Sequence, residues 1–93
     1  MGISLMNLAP KLELTPEELE RRSLRAYLRQ ELHKIQTEIL QLCAKYSIAS
    51  SAEMLAKYEL GELPETGTWE DFFRLDHLEA KQNELEKLLG DLS

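Results

Sequence analysis

The 93-residue sequence has a single cysteine, Cys43, which excludes an intramolecular disulfide framework and any cysteine-rich zinc site. A reducing compartment suits that composition. Glycine and proline are scarce: four and three, with none between Glu17 and Leu60 or between Thr68 and Leu89. Two long stretches therefore carry no helix breaker. No run approaches the roughly 20 apolar residues needed to cross a bilayer. The N-terminal M-G-I-S-L-M-N-L-A-P lacks the basic region and long apolar run of a secretion signal. Met6 stands where a myristoylation pattern requires Ser or Thr. A soluble, cytoplasmic protein is expected.

Positive charge is also short, with a net charge of −6. Residues 1–47 carry seven Lys/Arg against six Asp/Glu, and residues 48–93 carry four against eleven. The acidic second half repels a polyanion, so nucleic-acid binding is not expected of the chain as a whole. What is plentiful is ordinary for a globular domain, at 43% hydrophobic and 30% charged.

Three helix starts follow one pattern. Thr15 is placed to cap, with Pro16 at the first helical position and Glu18 completing a capping box. Leu14 and Leu19 occupy the positions of a hydrophobic staple. Ser50 caps a second helix with Glu53 returning the bond, and Thr68 caps a third with Asp71 in the third position. The first helix is expected from Pro16 to Tyr46 or Ser47, roughly 45 Å long at 1.5 Å per residue. Its apolar row, Leu24, Leu28, Leu32, Ile35, Ile39, Leu42 and Tyr46, steps like a coiled-coil seam, and Tyr27, Cys43 and Ala44 widen it. The third, from Trp69 to Leu89, repeats through Phe72, Leu75, Leu78, Gln82, Leu85 and Leu89, with Gly90 as its stop. Gln82 alone interrupts the leucines: it either fixes register inside the seam or lies wet at its edge.

Between them, Ser51 to Leu60 forms a short helix with Met54, Leu55, Tyr58 and Leu60 inward, and Gly61 ends it. The loop G-E-L-P-E-T-G reverses the chain. The architecture expected is all-α: an antiparallel helical hairpin over residues 15–93 with a short helix at the bend, preceded by an extended or mobile arm at 1–14. A hairpin this small rarely makes a sufficient core alone. Dimerisation into a four-helix bundle is therefore expected, along the seam of Leu28, Leu32, Ile35, Ile39, Leu42, Leu75, Leu78, Gln82, Leu85 and Leu89.

No constellation for catalysis or metal binding stands out, and neither an enzyme nor a cofactor is expected. His33 and Cys43 are ten residues apart on one helix, about 15 Å along it. His33, His77, Asp76 and Glu79 lack metal-ligand spacing. Arg21, Arg25 and Arg29 form a stripe at i, i+4, i+8 with Arg22 beside it. Internal neutralisation by Glu17, Glu18 and the acids Glu84, Glu86 and Asp91 is the simpler expectation there. The sharper reading is that the stripe binds a phosphate backbone or an acidic protein patch, but no helix-turn-helix spacing or ribbon signature accompanies it, and a nucleic-acid partner is not expected. Tyr46, Tyr58 and Phe72 are expected to seal the bend. Trp69 and Phe73, flanked by Glu62, Glu65, Glu70 and Asp71, are the candidate anchors for a basic partner, since hot spots favour such aromatics.

Residues 45–78, K-Y-S-I-A-S-S-A-E-M-L-A-K-Y-E-L-G-E-L-P…W-E-D-F-F-R-L-D-H-L, resemble a pattern in small helical proteins of bacteria and archaea that look like antitoxin partners of small toxins. That pattern has Gly where this chain has Ser47. The resemblance implies a protein that docks on and blocks a small basic toxin. The alternative is a structural bundle that serves as an adaptor or oligomerisation module.

Overall fold

The computed structural model describes residues 14–92, so the expected arm lies outside the described residues except for Leu14. Among the described residues there are three helices: α1 (Pro16–Tyr46), α2 (Ser51–Glu59) and α3 (Trp69–Asp91).

Helix α1 begins as its sequence dictates. Thr15 is extended at φ −72°, ψ 155°, and its hydroxyl accepts from the Glu18 N–H at 3.1 Å. It ends at Ser47, whose φ of 54° and ψ of 48° are left-handed. The Ser47 N–H bonds the Ala44 carbonyl at 3.3 Å and the Ile48 N–H bonds the Cys43 carbonyl at 2.9 Å. These two bonds are the Schellman closure, and Ile48 with Cys43 supplies its apolar contact in the core. A side chain in this conformation is strained by roughly 1 kcal/mol. Ser47→Gly is therefore expected to stabilise the fold by about that much, read as a denaturation midpoint raised at unchanged slope.

Helix α2 starts at Ser50, whose hydroxyl accepts from the Glu53 N–H at 3.2 Å. The Glu53 carboxylate reaches back one residue further than a standard box, to the Ala49 N–H at 2.8 Å. A second Schellman closure ends α2, with Gly61 at φ 71° and the Glu62 N–H on the Lys57 carbonyl at 2.9 Å.

The start of α3 departs from expectation. Thr68 does not cap it. Its hydroxyl donates to the Pro64 carbonyl, and with that proton used its oxygen accepts from the Tyr58 hydroxyl at 2.7 Å rather than from an N–H of α3. Nor does Gly90 stop α3, which continues through Asp91 until the Leu92 N–H bonds the Leu88 carbonyl at 3.2 Å.

Helices α1 and α3 lie side by side and antiparallel. Arg25 meets Leu92, Glu38 meets Arg74 and Lys45 meets Asp71, so partners descend along α3 as they ascend along α1. Leu28, Ile35, Leu78 and Leu85 form one buried cluster between them, with Leu32, Ile39, Leu42 and Leu89 packed against it. A second cluster at the bend joins Cys43, Ile48, Met54 and Leu75, and Tyr46, Tyr58, Leu63 and Phe72 seal it. The seam is thus used within the chain, and Gln82 is half-buried at its edge.

Several residues expected inward are not. Leu24, Tyr27, Leu55 and Leu60 are 47%, 58%, 46% and 71% exposed, and Ala44 is exposed too. One helix covers only the middle of another helix's apolar stripe, so flanking positions stay in water.

Candidate partner-binding surface

Charges from elsewhere in the chain close one end of each helix. At the C-terminus of α1, Lys57 donates to the Tyr46 carbonyl at 3.1 Å. At the N-terminus of α2, the Glu79 carboxylate accepts from the Ser51 N–H at 2.9 Å and from the Ser51 hydroxyl. At the C-terminus of α3, Arg25 donates to the Leu92 carbonyl at 2.9 Å. Each charge has the sign that the helix macrodipole favours at that end. Sequence reasoning missed all three, because their partners stand 11, 28 and 67 residues away.

This framework fixes where the aromatic corner points. Asp71 faces back across the hairpin, accepting from Lys45 at 2.8 Å and from the Tyr46 hydroxyl. Those two donors hold its carboxyl below the ordinary aspartate range. Burial first, then the bond to Asp71, pushes the Tyr46 phenol up, and the bond to Asp71 raises Lys45. A lowered carboxylate pKa adds stability above the unfolded value of about 3.9, and that stability is lost as pH falls through the folded value. The raised Tyr46 and Lys45 values add stability that is complete below their unfolded values and is lost only in strong base. Melting temperature is therefore expected to fall more steeply below about pH 4 in the wild type than in Asp71→Asn. Thermal melts across the acid range check this, and parallel curves would count against a structural role for Asp71.

Asp71 is one-quarter exposed and engaged within the fold, whereas Glu62, Glu65 and Glu70 are exposed. Tyr58, Phe72, Phe73 and Trp69 form a chain of edge-to-face contacts, with successive ring centroids 6.0, 5.5 and 5.7 Å apart. The chain runs from the sealed core to water: Tyr58 and Phe72 are half-buried, while Phe73 and Trp69 are 59% and 50% exposed. Edge-to-face contacts thus tie the two outer rings to the sealed core.

Other candidate chemistry is scattered. Burial, then the Glu79 and Glu53 charges, raises the Cys43 thiol and disfavours a reactive thiolate. His33 and His77 are exposed on different helices, and Glu79 is held by Ser51. Among the described residues no three His, Cys, Asp or Glu side chains gather as metal ligands, and no helix is long and apolar enough to cross a membrane.

Over residues 1–93 the sequence matches the family described as Uncharacterized protein MJ0235 family. The chain belongs to the MJ0235 family. No curated protein and no solved structure matches it.

Proposed function

We propose that the chain is a non-enzymatic interaction module that docks on a small basic protein and masks it, as an antitoxin does its toxin. The exposed Trp69–Phe73 pair carries the proposal. It stands beside Glu62, Glu65 and Glu70 in a segment, residues 58–73, that has no Lys or Arg. Large aromatics anchor interfaces, and a single-sign rim speeds encounter with an opposite charge. The antitoxin reading rests on the likeness of residues 45–78 and fits the acidic corner.

Co-expression with the protein encoded beside it, followed by titration of the purified pair, tests this reading. Reversing Glu62, Glu65 and Glu70 to Lys is expected to slow association at least tenfold at low salt while dissociation changes less. Unchanged association would remove these carboxylates from the site.

A second reading, self-association into a four-helix bundle, has its own observation. Leu24, Tyr27 and Leu88 are about half exposed, and Tyr27 and Leu88 line a groove between α1 and α3 with Ile35 and Leu85. Its lining carries Glu31 and Glu84 against Lys81, a net of −1 that Lys34, paired with Glu31 at 3.3 Å, offsets. A near-neutral apolar face is where two copies of a −6 chain would meet with least repulsion. Sedimentation equilibrium of the wild type and of Tyr27→Glu/Leu88→Glu decides it: a wild-type monomer at all concentrations would end this reading.

A further inference from the structure

We infer that the N-terminal half of α1 carries a second, separate binding surface for a nucleic-acid phosphate backbone. Arg21, Arg22, Arg25 and Arg29 share a shallow surface with Ala26, and Glu18 is the one carboxylate lining it. The ion pairs expected from sequence do not form. Glu17–Arg21 and Glu18–Arg22 are not ion pairs, and Arg25 goes to a backbone carbonyl of α3 instead of to Glu84, Glu86 or Asp91. Elsewhere among the described residues Lys34, Lys45 and Arg74 each have a carboxylate partner, while Lys57, Lys81 and Lys87 stand singly without one. Arg21, Arg22 and Arg29 are exposed, and Arg25 is held in place by its bond to Leu92 at 2.9 Å.

The acidic net charge does not forbid such binding. Arg25 and Tyr46 are separated by 21 residues of one helix, about 30 Å. The screening length is about 8 Å at physiological salt, so the acidic corner is felt only weakly at the arginine surface, where the nearer carboxylates are Glu17, Glu18 and Glu20 of α1 and Glu86 and Asp91 of α3. From Arg21 to Arg29 the row rises about 12 Å. A duplex carries a charge every 1.7 Å or so, so a row of that length can neutralise several phosphates and release their counterions. A lipid surface fits less well, because a helix lying on a membrane buries an apolar face beside its basic one. Here Leu28 and Ile35 of α1 are packed on α3, and the half-exposed Leu24 and Tyr27 are the apolar side chains left near the arginines, a small area to insert.

Fluorescence anisotropy with the full chain tests the inference, using a labelled random-sequence DNA duplex of about two helical turns and a single-stranded RNA of equal length. Binding to either supports it and shows which nucleic acid is preferred. With three phosphates neutralised on the duplex, affinity is expected to fall about forty-fold between 50 and 200 mM salt. Arg22→Glu/Arg29→Glu should weaken binding at least tenfold. Arg74→Glu/Lys87→Glu, an equal change in net charge outside the arginine surface, should stay within about twofold. Arg22→Gln/Arg29→Gln, with its helicity checked by circular dichroism, guards against a folding defect and should also weaken binding. No retention at 50 mM salt, equal weakening by both Glu pairs, or binding to phosphatidylserine vesicles without binding to nucleic acid would overturn the inference. None of these results bears on the Trp69 surface.

Discussion

Leu75→Ala is expected to destabilise the protein by about 3–4 kcal/mol. Leu75 is wholly buried and shares its cluster with Met54, Cys43 and Ile48. It sits where α2 is pressed onto the hairpin, so a cavity there loosens three helices together. The lost transfer energy and the residual cavity both contribute, and a site enclosed on all sides cannot collapse to fill the gap. For a domain of this size total stability is of order 5–14 kcal/mol. A loss of 3 kcal/mol is thus a large fraction and lowers the melting temperature by about 15 °C. Leu40→Ala is the matched control, since Leu40 is 69% exposed and its removal should cost less than about 0.5 kcal/mol. Denaturant titrations of the two variants give the comparison. Equal small losses would mean that the bend is not packed as described.

Trp69→Ala is expected to weaken binding of a basic protein partner about thirty-fold, close to 2 kcal/mol, and adding Phe73→Ala should weaken it further. Both rings are at least half exposed, so their removal should cost the free chain under about 1 kcal/mol, mostly their mutual edge-to-face contact. The contrast with Leu75 separates the two roles. One substitution removes stability and the others remove affinity. Isothermal titration with the purified partner, alongside melts of the free variants, reads both quantities. A Trp69→Ala variant that melts early and binds normally would make the ring a structural element.

The helices were legible because their signals are local. The Thr15 and Ser50 caps, the seam from Leu28 to Leu42 and the Gly61 closure each depend on residues within a turn or two. Where an interaction crosses the hairpin, local reasoning chose wrongly or chose nothing. Thr68 has the composition of a cap, but Tyr58 and the Pro64 carbonyl compete for its hydroxyl. Asp71 reads as one more acid of an exposed cluster, but the antiparallel register brings Lys45 and Tyr46 to it. Glu79 resembles an idle neighbour of His77 and in fact closes the N-terminus of α2. Of the aromatic corner, the sequence could separate the sealing residues Tyr58 and Phe72 from Trp69 and Phe73, because adjacent positions on a helix cannot share one narrow seam. Which acids stay free beside those rings depends on the register of α1 against α3.

The Trp69 surface can be tested through its own ring, because it is the sole tryptophan of the chain. Its emission should be that of a half-exposed indole in the free protein. On titration with a tryptophan-free form of the basic partner it should shift to shorter wavelength and become protected from a soluble quencher, saturating with the calorimetric affinity. A partner that binds with the same affinity while Trp69 emission and quenching stay unchanged would contradict the account.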